Sequence, residues 1–238
     1  MTTESCQPGR EGGREGADLV AIRLVALAWA CPMSVATYAS WGRSAPVPRP
    51  DCVTCGSPMG FDGSYPRWVR EAGKFYRVFV RRARCGSCGC GEALLPDFLL
   101  RRRRDTTASV GAAVLPRLGA DVPEGAEGLY AGVPGRTVRS WRRRFAERAG
   151  DLALGLDALS VEWGGTIAVC SPEASAPAPR QAVVAMGRLW QAARRRCPGE
   201  VPPAWPLANV VVGSQLIGTR VDLPWPIAPH TVGRSRGP

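Results

Sequence analysis

One histidine, His230, and one lysine, Lys74, occur among the 238 residues of this chain. Histidine is the side chain whose ordinary pKa suits proton transfer near neutrality, and a single one in a Pro-rich tail offers no acid/base pair. Carboxylates are scarce where a catalytic domain would need them. Beyond Arg148 there are six, Asp151, Asp157, Glu162, Glu173, Glu200 and Asp222, in 90 residues without a strand-rich pattern. A nuclease-type core holds two metal ions on clustered carboxylates, and this set is too sparse. The last tyrosine is Tyr130, so a late tyrosine nucleophile is missing. The sole Gly-Lys pair, Gly73-Lys74, runs into Phe75 and lacks the frame of a phosphate-binding loop. The apolar run Leu19 to Cys31 is shorter than the roughly 20 residues that span a bilayer, and Arg23 interrupts it. Before it stand Arg10 and Arg14 against Glu4, Glu11, Glu15 and Asp18, the wrong charge for a secretory signal. These absences lead to the expectation of a non-enzyme in the cytoplasm, with no membrane partner and no small-molecule substrate.

What is abundant is arginine. The formal charge is +11, and the stretch Ser64 to Arg148 alone holds 18 Lys and Arg against 8 Asp and Glu. A GC-rich coding bias explains the choice of arginine over lysine but not this clustering. A basic middle calls for a polyanionic partner, most simply DNA.

In a reducing compartment, paired cysteines point to metal rather than to disulfides. Of nine cysteines, four fall in two pairs, Cys52-x2-Cys55 and Cys85-x2-Cys88, separated by 29 residues. A two-residue spacer lets one tight turn aim both sulfurs at one point, and a tetrahedral zinc ion needs four such ligands. Each pair is followed by glycine, Gly56 and Gly89, which can take the left-handed conformation that curls backbone amides toward the sulfurs. That shared pattern selects Cys88 rather than Cys90 as the fourth ligand. Four thiolates close the coordination sphere, so one structural Zn2+ is expected and a catalytic one is not. Cys6, Cys31, Cys170 and Cys197 are scattered and read as isolated thiols.

The organisation reads as α+β, in modules with loose joints. Residues 1–45 form a poorly ordered extension, and 46–104 a small β zinc ribbon. Residues 105–150 form a helix-turn-helix-like region, and 151–238 loosely packed helices with a Pro-rich linker and tail. Inside the ribbon, Arg67 to Arg70 and Phe75 to Arg82 are rich in aromatic and β-branched residues around the turn Glu71-Ala-Gly-Lys74, which predicts a hairpin. Thr106 or Thr107 caps a helix through Val110, Val114 and Leu118 that Pro116 kinks or ends early. Further helices are predicted over Leu152 to Trp163 and Gln181 to Arg196.

From Arg136 to Arg148, Val138, Trp141, Phe145 and Ala149 recur at helical spacing. The opposite face then carries Arg136, Arg139, Ser140, Arg143 and Arg144. The preceding Gly128-Leu-Tyr-Ala-Gly-Val-Pro-Gly135 offers a short helix and a glycine turn, the layout that places a second helix in the major groove. With Arg101, Arg102, Arg103 and Arg104 these residues form the expected DNA contacts, Arg139 and Arg143 foremost. Two other readings are an adaptor docking on a recombinase, and a transposase remnant that has lost its function.

Several motifs together resemble an uncharacterised bacterial family, a domain of unknown function encoded near integrases and transposases. They are Cys-x2-Cys-Gly-Ser, Gly63 to Arg70, Arg81 to Cys88 and Ala93 to Arg103. Thr137 to Phe145 is similar to the recognition region of that family and of the amino-terminal DNA-recognition part of insertion-sequence transposases. Trp205 to Asn209 and Pro224-Trp-Pro226 are similar to its tail, and the likeness runs over residues 46 to 228. The chain departs from the family's pattern at Cys90, at Gly91-Glu92 and over Ala120 to Gly128. The resemblance implies a zinc ribbon followed by a helix-turn-helix, serving a mobile element as accessory factor or regulator, with a recombinase or transposase as a further partner.

Overall fold

The computed structural model describes residues 28–52, 54–120, 124–165, 175–197, 199 and 201–218. Cys6, Cys170, His230 and Pro224-Trp-Pro226 lie outside them. The fold is mixed α+β: a four-stranded sheet followed by helices.

The predicted hairpin is present and longer than its aromatic stretches. Strand β2 (Met59–Glu71) pairs antiparallel with β3 (Lys74–Cys85) across the two-residue turn Ala72-Gly73. Both turn residues have positive φ, 49° and 74°, the backbone twist that matches the strands of a tight hairpin. Period-two alternation sorts the side chains. Val69, Val78 and Val80 are buried, while Trp68, Phe75 and Arg77 on the other face are exposed. Strand β4 (Gly91–Pro96) adds antiparallel to β3, and β1 (Ala28–Trp29) adds parallel to β4, giving the order β1-β4-β3-β2.

The extension expected over residues 1–45 is corrected from Ala28 onward. Helix α1 (Val35–Trp41), capped by the Ser34 side chain on the Thr37 amide, covers the buried valines. Tyr38 is fully enclosed among Val69, Val78, Val80, Leu95 and Leu99, and its hydroxyl donates to the Phe79 carbonyl at 3.1 Å.

Helix α2 (Thr107–Val114) starts where predicted, with Thr106 accepting the Ser109 amide, and Pro116 turns its end into a 3-10 segment, Leu115–Leu118. In place of the short helix expected near Gly128 is a 3-10 turn, Ala126–Tyr130. Helix α3 (Gly135–Glu162) runs unbroken for 28 residues, where two helices were expected. Its apolar stripe continues through Leu152, Leu156 and Leu159, and burial along it outweighs the roughly 1 kcal/mol that an exposed interior Gly150 costs.

The expectation of loosely packed C-terminal helices is also corrected. Helix α4 (Ala178–Arg196) packs Ala185, Leu189 and Ala193 against α3, and α5 (Ala204–Val211) completes the largest core cluster with Trp205, Leu207 and Ala208. Nor is the joint to the sheet loose. The buried Asn209 side chain donates to the carbonyls of Asp97 (2.9 Å) and Leu99 (3.1 Å), and Trp205 Nε1 donates to the Thr107 carbonyl at 2.8 Å.

Candidate metal centre and basic surface

Each cysteine pair sits in a tight turn closed by its glycine. The Gly56 amide donates to the Cys52 carbonyl at 2.8 Å and the Gly89 amide to the Cys85 carbonyl at 3.0 Å. Both glycines have positive φ, 72° and 75°, a conformation that costs an L side chain about 1 kcal/mol or more. The hairpin register, Met59 opposite Cys85, brings the turns together at one end of the sheet. The ligand-type atoms of Cys52, Cys55, Cys85 and Cys88 all lie within 4.8 Å of one another, with Cys52 to Cys88 at 3.4 Å and Cys55 to Cys85 at 3.5 Å. These four residues form a cluster that could hold a metal ion. Cys90 stands outside it; its carbonyl accepts the Cys85 amide at 2.8 Å, so its role is backbone support.

The turns also prepare the sulfurs electrostatically. Amide donation, from Cys55 and Thr54 at Cys52 and chiefly from Cys88 at Cys85, favours the thiolate and draws both thiols down, Cys85 to about 6. At Cys88 the Cys90 amide pulls the same way, but hydrogen bonds to the neighbouring sulfurs, led by Cys52, together with burial, outweigh it and push the thiol up to about 12. Four thiols this close do not all ionise without a cation between them.

The expected DNA contacts divide by environment. On α3, Arg136, Arg139 and Arg143 are exposed, and Arg143 makes only an exposed ion pair with Glu147 at 3.1 Å, which is worth little. Ser140 and Arg144 are half-buried and engage each other, Arg144 Nε donating to Ser140 Oγ at 3.2 Å. Arg101, Arg102 and Arg104 are exposed, whereas Arg103 is half-buried and reaches the Ile217 carbonyl at 3.4 Å.

Sequence reasoning missed what holds the arginine loop. Strand β2 is the sheet's free edge, and the loop lies along it: the Arg70 amide donates to the Arg104 carbonyl at 2.6 Å and the Thr106 amide to the Arg70 carbonyl at 3.2 Å. Arg67, inside the hairpin, donates to the carbonyls of Leu100 and Arg103, and Arg70 pairs with Asp105 at 2.7 Å. Arg67 and Arg70 therefore position the loop rather than face solvent. Strand alternation was the available signal: Arg67 shares a parity with Val69, so it points to the covered side. Burial, and after it repulsion from the Arg144 guanidinium, lowers the pKa of Arg103.

Among known families, one described as "Domain of unknown function (DUF6431)" matches residues 52–129. The matched span starts at Cys52 and carries all four clustered cysteines, the hairpin, the arginine loop and α2, and it stops before α3. It is narrower than the 46–228 expected from motifs. No curated protein and no solved structure gives a significant match, so the expected transposase likeness has no counterpart in these comparisons. Among the described residues no helix is long and apolar enough to cross a membrane.

Proposed function

We propose that the chain is a non-catalytic, zinc-stabilised DNA-binding protein, an accessory factor or transposase-derived regulator of a mobile element. Zinc is the metal that four converging thiolates suit best, a filled-shell ion content with tetrahedral sulfur. It closes the site to water, and its role is to hold the two turns and so the hairpin in register. The ribbon then carries the arginine loop, and α3 is the helix that enters the major groove of duplex DNA.

The observation that carries this reading is a set of exposed arginines on two elements: Arg101, Arg102 and Arg104 on the loop held along β2, and Arg136, Arg139 and Arg143 on α3. Exposed guanidinium groups in this number favour a phosphate backbone, whose counterions are released on binding. The test is a duplex-DNA titration at two salt concentrations. Replacing Arg139 and Arg143 with alanine is expected to weaken binding about tenfold or more and to lower the salt slope by about 1 to 2, since fewer counterions are released. Unchanged affinity and slope would remove α3 from the interface.

A further inference from the structure

The hairpin tip bears two large aromatic side chains that nothing covers. Trp68 is 57% and Phe75 58% exposed. They belong to one face of the sheet, because Trp68 pairs with Arg77 and Phe75 with Arg70 in the register. Trp68 has no aromatic or cationic partner among the described residues. The Phe75 ring carries the Arg70 guanidinium at 5.9 Å from its centroid, and that guanidinium is fixed by Asp105. Both rings line an open groove of about 500 Å³ whose remaining lining is Arg67, Arg102, Arg103 and Arg104.

The far wall of the groove is built rather than incidental. Arg67 fixes two carbonyls of the loop, and the β2 edge holds Arg104 and Thr106. Arg102, exposed at the rim, has a φ of 58°, a left-handed conformation that a non-glycine residue adopts at a cost. The Arg103 amide closes a turn onto the Leu100 carbonyl across it, and the Arg101 amide is taken by the Ser214 carbonyl.

Exposed aromatic rings beside the exposed guanidinium groups of a loop whose backbone is fixed suit a strand of phosphates whose bases are free to stack. Duplex DNA hides its base faces and could use only the arginines. We propose that the groove binds single-stranded polynucleotide, Trp68 and Phe75 each stacking a base while Arg102 and Arg104 hold the backbone. This deepens the DNA-binding reading and rests on it, but its residues are distinct from those of α3.

The experiment uses the full-length, zinc-loaded protein and two probes: a labelled oligothymidylate of about a dozen nucleotides, within the usual site size, and a blunt duplex of similar length. W68A and F75A are each expected to weaken oligothymidylate binding about tenfold, with W68F recovering most of the loss, and to leave duplex affinity within about twofold. Because both side chains are exposed, the fold should persist, and retained zinc content confirms that it does. Oligothymidylate binding by W68A and F75A at wild-type strength would overturn the proposal even if the duplex binds. So would equal loss of both probes, which indicates a general basic surface. Failure of the duplex alone, with the aromatic dependence intact, would overturn the role of α3 and keep the groove.

Discussion

At the scale of single residues, Asp97 is an acidic side chain held inside the fold. It is 6% exposed, and burial raises its carboxyl from 3.8 to about 7, against the pull of the Cys31 and Phe98 amides. A carboxyl whose folded pKa lies above its unfolded value contributes stability that is present below about pH 4 and is lost as pH rises through about 7. The stability difference between wild type and Asp97→Asn should therefore shift in favour of the wild type as pH falls across that window, with a limiting slope of about 1.4 kcal/mol per pH unit. Comparing the two proteins by denaturant unfolding cancels any common effect of acid on the metal site. A flat difference would mean that the carboxyl is already charged in the fold. Asn209 is the opposite case, buried with its amide nitrogen satisfied by the carbonyls of Asp97 and Leu99 and the hydroxyl of Thr107. Asn209→Ala would leave buried acceptors unpaired and should cost about 2 to 3 kcal/mol in unfolding free energy. A loss below about 0.5 kcal/mol would show that the latch between α5 and the sheet is not under load.

At the scale of elements, legibility followed locality. The cysteine turns could be read because each is a five-residue pattern, Cys-x-x-Cys-Gly, whose geometry is decided within itself. The hairpin could be read because its turn lies between two β-branched, aromatic stretches, and α2 because Thr106 and Pro116 mark its ends. What lay beyond reading was decided by distant partners. Strand β1 is two residues long and exists as a parallel partner of β4 at Leu95 and Pro96, some 67 residues away. Helix α3 looks divisible at Gly150-Asp151, yet Ala149 and Leu152 are fully buried on either side, and tertiary packing overrides a weak local propensity. The candidate site followed the same rule. The four cysteines were visible as two pairs with metal-site spacing, and the exposed arginines as a charge cluster. The groove was not, because Trp68 and Arg102 meet only through the free edge of β2.

For the whole molecule, the distribution of apolar packing gives the proposed zinc ion a structural task. The helical half holds the largest core cluster, and α1 encloses a second against the sheet. Among the described residues the buried cluster at the end of the hairpin is Cys52, Met59, Ala83, Cys85 and Leu94, with Trp29, Val47 and Cys90 packed against it. So small a core does little to offset the ordering of the turns around it, and on the proposed reading a bound zinc ion supplies what packing does not. The measurement that tests this centre most directly is zinc content, with a thiol count, on purified wild type, Cys88→Ser and Cys90→Ser. The account predicts one zinc ion per chain in the wild type, retained in Cys90→Ser and lost or strongly weakened in Cys88→Ser, with four thiols protected until the metal is chelated. A wild type that binds no zinc, or a Cys90→Ser variant that loses it as readily as Cys88→Ser, would contradict the assignment.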